Sequence, residues 1–155
     1  MSTMLTWHTT TTDAHETEQL AAQLGSRLRG GEVVNLISDV GGGKTTFVRG
    51  LAKGMGSSDK VASPTFTISR EYQAGRLKLY HFDFYRLHDG GIMVSELAEI
   101  VGDPEHVVVI EWADIIEHIL PPDVVTIHIK NTGEDSREFT YGYPDTLAYI
   151  LGDAS

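Results

Sequence analysis

The sequence lacks cysteine altogether and is poor in basic residues. The absence of Cys from its 155 residues excludes a disulfide framework, a thiolate zinc site and a cysteine nucleophile. Lysine and arginine together number 12 against 22 acidic residues, which gives a formal net charge of −10. Because nucleic acids and anionic membranes are themselves polyanions, this charge opposes direct binding to either of them.

Long apolar runs and linkers are also lacking. No uninterrupted apolar stretch approaches the roughly 20 residues that a membrane helix requires. The polar start of the chain, residues 1–12, does not have the pattern of a signal peptide. There is no internal repeat, and 155 residues is an ordinary length for one domain. The sequence therefore predicts a single cytoplasmic domain over residues 1–155 that does not enter a membrane.

The spacing of apolar residues predicts helices that alternate with strands. Asp13 has the position of a helix N-cap, Gly30-Gly31 is expected to end that helix, and Thr9 to Thr12 is interpreted as its solvated entry. A second helical pattern runs from Phe47 to Met55. Strands are predicted at Glu32 to Ile37, Pro64 to Tyr72, Leu77 to Tyr85, Val107 to Ile110, Val124 to Lys130 and Arg137 to Tyr143, with a hairpin turn at Gln73 to Gly75 and short helices at Ser95 to Val101, Asp114 to Leu120 and after Pro144. Because hairpins interrupt the alternation, we predict an α/β fold with a mixed sheet.

A glycine-rich segment between a predicted strand and a predicted helix is typical of a phosphate-binding loop. It reads Ser38-Asp39-Val40-Gly41-Gly42-Gly43-Lys44-Thr45-Thr46. Glycines let backbone N–H groups converge on phosphate oxygens, and the start of a helix favours the same anion. Lys44 is placed to reach the β- and γ-phosphates, and the Thr45 hydroxyl is placed to bind Mg²⁺. The alternative is a glycine-rich turn that binds no ligand.

This loop predicts a single-domain P-loop NTPase-like fold with flanking helices and antiparallel hairpins. The nucleotide-binding residues that we predict from the loop are Ser38, Gly41, Gly42, Gly43, Lys44, Thr45 and Thr46. Ser38 stands where the usual pattern has its first glycine, which leaves the strength of phosphate binding open.

Two acidic residues lie where strand ends are expected to bring them beside this loop. Glu111 directly follows the buried run Val107 to Ile110, and ligands of open α/β sheets bind at the carboxyl ends of strands. Asp83 lies in an aromatic-rich strand where packing alone does not favour an acid. Since phosphoryl transfer needs a metal and an oriented water, we predict catalytic roles for Lys44, Asp83 and Glu111. The predicted metal ligands are Thr45, Asp83 and Glu111. The alternatives are a solvated strand-end acid for Glu111 and a turn residue or an arginine partner for Asp83.

Residues near these motifs are further candidates for the site. The hydroxyl of Thr65, after Ser63-Pro64, suits a nucleotide-sensing switch segment, with an ordinary strand threonine as the alternative. Trp112 directly follows Glu111 and offers a contact surface for a partner. The seven histidines show no metal-ligand spacing, and His81 is the one expected nearest the site.

Taken together, these segments resemble the bacterial TsaE family, the small P-loop ATPases of tRNA threonylcarbamoyladenosine biosynthesis. The residues that carry the resemblance are Gly41-Gly42-Gly43-Lys44-Thr45-Thr46-Phe47-Val48-Arg49-Gly50, Ser63-Pro64-Thr65-Phe66-Thr67, Tyr80-His81-Phe82-Asp83-Phe84-Tyr85-Arg86-Leu87 and Val109-Ile110-Glu111-Trp112. The likeness extends from the first helix to Arg137. It departs from the family pattern at Ser38, Val40 and Gly42, where the family has glycine, leucine and alanine.

The resemblance implies ATP with Mg²⁺ as ligands and a heterodimer of two related subunits as partners. The residues that it assigns are Thr45 and Glu111 near the metal, Asp83 as an essential acid, Ser63-Pro64-Thr65 as a switch-like segment, and Asp13 to Thr17 with Ser136-Arg137 as nucleotide contacts. The partner heterodimer transfers threonylcarbamoyl to the adenosine beside the tRNA anticodon, and ATP binding and hydrolysis support its turnover. Given the net charge of −10, we expect no strong direct binding of tRNA by this chain.

Two other functions fit a phosphate-binding loop. A small-molecule or nucleotide kinase shares the loop, but such kinases use an arginine-rich lid, whereas the seven arginines here are dispersed. A nucleotide-binding module without turnover is the other alternative. We expect weak ATP hydrolysis by the isolated protein, because no arginine is placed to act within the chain and a partner is expected to complete the site.

Overall fold

Seven strands form one sheet within the part of the chain that the structure describes. The computed structural model describes residues 3–38, 43–59, 69–83, 91–111 and 120–152. The strands are β1 (Met4–Thr11), β2 (Val33–Ser38), β3 (Ser69–Ala74), β4 (Leu77–Asp83), β5 (His106–Glu111), β6 (Val125–Asn131) and β7 (Arg137–Pro144). The helices are α1 (Ala14–Arg27), α2 (Lys44–Met55), α3 (Gly91–Ile100) and a 3₁₀ helix at Asp145–Leu151. None of these described helices has both the length and the apolar character to cross a membrane.

The sheet mixes parallel and antiparallel pairs. Its strand order is β1-β7-β6-β2-β5-β4-β3. β2 is parallel to both of its neighbours, β5 and β6, and β4 is parallel to β5. The pairs β1–β7, β6–β7 and β3–β4 are antiparallel. The predicted α/β fold with a mixed sheet and antiparallel hairpins is therefore confirmed.

Helices cover both faces of the central strands. On β5, Val107 and Val109 pack in a cluster with α1 and α2, whereas Val108 and Ile110 pack with Leu97 of α3. A strand covered on both faces needs apolar residues at every position, which explains the unbroken apolar run in the sequence. Three residues of α2 are fully buried against the first cluster: Phe47, Val48 and Leu51. This packing holds the start of α2 at the carboxyl end of β2.

Helices α1 and α2 approach each other closely at two glycines of α2. A Cβ atom on Gly54 would lie 2.0 Å from the carbonyl oxygen of Ala22, and one on Gly50 would lie 2.3 Å from that of Glu18. No side chain fits at such distances, so the two glycines set the separation of the helices. The position of α2 on the sheet therefore depends on residues far from its first turn.

The prediction for the start of the chain is wrong. Thr9 to Thr12 is interpreted from the sequence as a solvated entry to the first helix, whereas Met4–Thr11 forms strand β1 along β7. Threonine is β-branched and favours extended backbone. Because β1 is an edge strand with mostly exposed side chains, only a short apolar alternation, Leu5 and Trp7, marks it in the sequence.

Several predicted boundaries also differ from the structure. α1 ends at Arg27 rather than at Gly30-Gly31, because Leu28 adopts extended backbone and buries its side chain in the core. β3 continues to Ala74, so the hairpin turn lies at Gly75-Arg76.

The remaining elements agree with expectation or extend beyond the described residues. α3 begins at Gly91 rather than at Ser95. The predicted helix after Pro144 is a 3₁₀ helix with that proline as its N-cap. The first part of the strand predicted at Pro64 to Tyr72, the end of that predicted at Leu77 to Tyr85, and most of the helix predicted at Asp114 to Leu120 lie outside the described residues.

Candidate functional site

The carboxyl ends of three parallel strands meet the start of α2. β2 ends at Ser38, the described part of β4 ends at Asp83, and β5 ends at Glu111. Asp83 and Glu111 are register partners on neighbouring parallel strands, so their side chains leave the sheet on the same face. Val109, two residues before Glu111, packs on the face that α1 and α2 cover. Both acids therefore lie on the side of the sheet that carries α2.

Lys44, the first residue of α2, forms an ion pair with Glu111. Nζ of Lys44 lies 3.0 Å from Oε1 of Glu111, and the two side chains are only 17% and 5% exposed. The other carboxylate oxygen, Oε2, is bonded to Nε2 of His81 from strand β4. Both oxygens of this buried carboxylate therefore have partners within the protein.

The pKa of Glu111 is lowered from its ordinary value of 4.5. Burial, the largest single influence, raises the pKa because it disfavours the charged form. The hydrogen bond and charge of His81, followed by the charge and hydrogen bond of Lys44, together outweigh burial. Glu111 is therefore a carboxylate at neutral pH, the form that binds a metal or orients a water.

The N-cap residue of α2 provides no side-chain cap. That residue is Gly43, which adopts left-handed backbone at a φ of 94° and has no side chain that could accept a hydrogen bond from the first turn. The N–H groups at a helix start remain available unless another group accepts from them. Together with the helix dipole they favour an anion. Lys44, Thr45 and Thr46 make up this turn and are half-buried.

A small cavity lies beside the first turn of α2. Its volume is about 40 Å³, and it is lined by Ala14, Thr17, Gly43, Thr46, Asp135 and Arg137. Arg137 is the first residue of β7, and its Nη1 donates to carbonyl oxygens of the preceding turn, to Ser136 at 2.8 Å and to Glu134 at 3.2 Å. Arg137 therefore lies beside Gly43 and Thr46 at the start of α2, and its role as a nucleotide contact stays a prediction.

The predicted cap of the first helix is present next to this cavity. Oδ1 of Asp13 accepts from the backbone N–H of Glu16 at 2.8 Å, and the Glu16 carboxylate accepts from the backbone N–H of Thr12 at 2.7 Å. Asp13 therefore caps α1, and Glu16 holds Thr12, the residue before the cap. Of the expected nucleotide contacts at Asp13 to Thr17, Ala14 and Thr17 line the cavity.

The described site residues lie at one end of the sheet, where the parallel strands β2, β4 and β5 end. Those found there are Ser38, Gly43, Lys44, Thr45, Thr46, Asp83, Glu111 and Arg137. Six other predicted site residues lie outside the described part of the chain: Gly41, Gly42, Ser63, Pro64, Thr65 and Trp112. Their roles stay predictions. No group of three His, Asp or Glu side chains able to hold a metal occurs among the described residues.

The sequence indicates that His81 lies near the site but not that it contacts Glu111. The two residues are 30 positions apart, and only the register of β4 against β5 brings them together. The alternation of β4 contains a usable signal, because His81 and Asp83 lie two residues apart and so share a face.

Comparison with known proteins identifies the family. A family model described as "Threonylcarbamoyl adenosine biosynthesis protein TsaE" matches residues 11–139. The tRNA threonylcarbamoyladenosine biosynthesis protein TsaE of Bacillus subtilis (strain 168) is 40% identical over 142 residues, which are 88% of this chain and 84% of that protein. The protein of the same name from Nostoc sp. (strain PCC 7120) is 36% identical over 129 residues, 81% of this chain and 79% of that protein.

A solved structure agrees with these relatives. The crystal structure of YdiB from Bacillus subtilis has a TM-score of 0.75 and 35% sequence identity to this chain, and the match covers 97% of this chain and 93% of that one. Since the family model and the relatives span most of the sequence and the solved structure shares its fold, this chain belongs to the TsaE family of tRNA threonylcarbamoyladenosine biosynthesis proteins.

Proposed function

We propose that this protein is a P-loop ATPase subunit of the tRNA threonylcarbamoyladenosine machinery that binds Mg-ATP at the start of α2. The observation that carries the proposal is the placement of Lys44 and Glu111, 3.0 Å apart, at one edge of the sheet. P-loop ATPases need a lysine for the phosphates and an acid for the metal or the attacking water at the same place. Family membership supports the pathway.

The residues at the start of α2 fit a bound triphosphate. The first turn follows an N-cap residue that offers no side-chain acceptor, and the start of a helix favours a phosphate group. Lys44 lies at that turn and would bind the β- and γ-phosphates after it leaves Glu111. Arg137 and Thr46, which line the adjoining cavity, are placed to contact the same ligand.

The acidic residues fit Mg²⁺. This ion usually takes one or two carboxylates together with phosphate oxygens and waters, so a cluster of three protein acids is not required. The candidate ligands are Glu111, its register partner Asp83 and the Thr45 hydroxyl. When bound, Mg²⁺ neutralises charge on the phosphates. Glu111, a carboxylate at neutral pH, would in turn orient the attacking water.

The partners that we propose are the two related subunits of a threonylcarbamoyl transferase in the cytoplasm. The transferase carries out the carbamoylation chemistry, and ATP hydrolysis by this chain supports its turnover. The net charge of −10 favours a protein partner over direct binding of tRNA. Hydrolysis by the isolated protein is expected to be weak, because a partner is expected to complete the site.

Binding of Mg-ATP and release of phosphate, with and without the transferase subunits, test the proposal. Lys44→Ala should weaken Mg-ATP binding by about tenfold or more and abolish phosphate release, because a charge-assisted bond to phosphate is lost. Lys53→Ala is the matched control, since Lys53 lies on the same helix but is exposed and paired with Glu18. Wild-type binding and turnover in Lys44→Ala would overturn the assignment.

The same assay separates the other two functions. A phosphorylated acceptor in place of free phosphate would favour a kinase. Binding of Mg-ATP with no turnover, even in the presence of the transferase subunits, would favour a nucleotide-binding module. The proposed ATPase predicts slow phosphate release by the chain alone and faster release with its partners.

A further inference from the structure

We propose that His81 is the positioning residue for Glu111 and directs one carboxylate oxygen of Glu111 to the start of α2. The inference deepens the proposed ATPase function and rests on it. His81 lies on β4 with its side chain 1% exposed, and Glu111 lies at the end of the neighbouring strand β5. No role for His81 follows from its sequence alone, since the histidines show no ligand spacing.

The two oxygens of Glu111 have different partners. Oε2 is bonded to Nε2 of His81, and Oε1 lies 3.0 Å from Nζ of Lys44. A carboxylate paired with the Lys44 ammonium can only accept, so Nε2 of His81 is the donor. Oε2 therefore bonds to a side chain of the neighbouring strand, while Oε1 is the oxygen directed to the first turn of α2. His81 keeps that orientation when Lys44 leaves Oε1 for another anion.

Sheet register makes this contact possible. His81 pairs with Val109, and Asp83 pairs with Glu111, so His81 and Glu111 are diagonal neighbours on one face of parallel strands. Leu79, two residues before His81 on the same face, is fully buried and apolar. On this face of β4 the residues change from apolar to polar only at the carboxyl end of the strand, at His81 and Asp83.

Packing alone does not account for an imidazole at this position. Its second nitrogen, Nδ1, is buried without a hydrogen-bond partner in the described structure. A buried polar atom without a partner is unfavourable, and an apolar side chain such as that of Leu79 would avoid the penalty. The bond from Nε2 to Glu111 is therefore what the histidine contributes.

Loss of this bond would free the Glu111 side chain to rotate. A glutamate has three side-chain torsions and loses rotamer freedom when it is held. Groups that orient metal ligands in this way typically change metal affinity or activity by about 10–100-fold when they are replaced. The effect should appear in the metal-dependent steps, and the affinity for metal-free ATP should stay close to the wild-type value.

Three substitutions of His81 separate positioning from packing. Glutamine can place its amide nitrogen near the position of Nε2, asparagine places it nearer that of Nδ1, and leucine has no donor. We would measure the dissociation constant of ATP in EDTA and in saturating Mg²⁺ by calorimetry. Phosphate release would be measured in the presence of the transferase subunits. Thermal unfolding verifies that each variant is folded, and the Gln and Asn variants decide the outcome if the Leu variant is not.

In His81→Asn and His81→Leu the rate of phosphate release should fall by about tenfold or more. The gain in ATP affinity that Mg²⁺ provides should fall by about the same factor. Their metal-free dissociation constants should stay within about threefold of wild type, and His81→Gln should recover both metal-dependent quantities to within about threefold. In a Glu111→Gln background, His81→Asn should change the Mg²⁺-dependent gain no further, because the two residues act through one bond.

Equal behaviour of the Gln and Asn variants would overturn the positioning role. If the wild-type protein gains no ATP affinity from Mg²⁺, the proposed function fails and this inference fails with it. If Glu111→Gln abolishes the gain while His81→Asn preserves it, only the positioning role is refuted.

Discussion

Glu111→Gln should tighten the binding of ATP in the absence of metal, although it alters the proposed metal site. Lys44 is bonded to Glu111 at 3.0 Å and must leave that carboxylate before it can bind phosphate. Metal-free ATP therefore competes with Glu111 for the same ammonium group. Glutamine keeps the shape of the side chain and one carbonyl oxygen that can accept from Lys44, but it removes the charge that holds Lys44.

The size of the effect follows from the kind of bond that is lost. A hydrogen bond to a charged group contributes about 1.5–3 kcal/mol, and a neutral one about 0.5–1.5 kcal/mol. Replacing the carboxylate by an amide should therefore weaken the hold on Lys44 by about 1–1.5 kcal/mol. That difference corresponds to about a five- to tenfold lower dissociation constant for ATP. Removal of a negative charge beside the phosphates acts in the same direction.

Calorimetry of ATP binding in EDTA would measure this change. Glu71→Gln is the matched control, because it removes the same net charge from an ion pair with Lys78 on the exposed β3–β4 hairpin. The control should bind metal-free ATP with the wild-type dissociation constant. Equal or weaker binding by Glu111→Gln than by wild type would refute the competition between Glu111 and phosphate for Lys44.

Three further predictions concern stability and pH. The lowered pKa of Glu111 means that its ionised form stabilises the fold above pH 4.5 and that this stability is lost at lower pH. In urea titrations, the unfolding free energy of Glu111→Gln should therefore fall less steeply with decreasing pH than that of wild type. An equal slope would contradict this. Gly54→Ala should lower the unfolding free energy by about 1–3 kcal/mol, because the new Cβ would lie 2.0 Å from the carbonyl oxygen of Ala22. In the control Gly133→Ala the nearest contact would be 3.5 Å away, so the unfolding free energy should hardly change. Tyr149 donates to buried Glu32, so Tyr149→Phe should cost about 1–2 kcal/mol near neutral pH. Burial, then the bond to Glu32, raises the pKa of Tyr149 above its ordinary 10.0. The advantage of wild type over Tyr149→Phe should therefore shrink as the pH rises above 10.

Local features of the fold could be predicted from the sequence because each rests on neighbouring residues. The apolar run Val107 to Ile110 corresponds to a strand covered on both faces, and Asp13 forms the expected N-cap of α1. The start of α2 at Lys44 follows directly after the glycines, as a phosphate-binding loop requires. In each case the residues that cause the feature are neighbours in the sequence, so their spacing is enough to predict it.

Features that depend on distant residues could not be predicted in this way. β1 lies at the sheet edge with mostly exposed side chains, so its strand character comes chiefly from pairing with β7. The contact of Glu111 with both Lys44 and His81 requires the register of β4 against β5 and the packing of α2 on the sheet. The sequence indicates each of these three residues separately, but not that one carboxylate joins them.

A crystal structure with Mg²⁺ and a non-hydrolysable ATP analogue would show directly whether the start of α2 binds the nucleotide. We expect phosphates at the first turn of α2, Lys44 bonded to them instead of to Glu111, and Glu111 beside the metal while still bonded to His81. An unchanged pair of Lys44 and Glu111, with no nucleotide at the start of α2 under saturating Mg-nucleotide, would contradict this expectation.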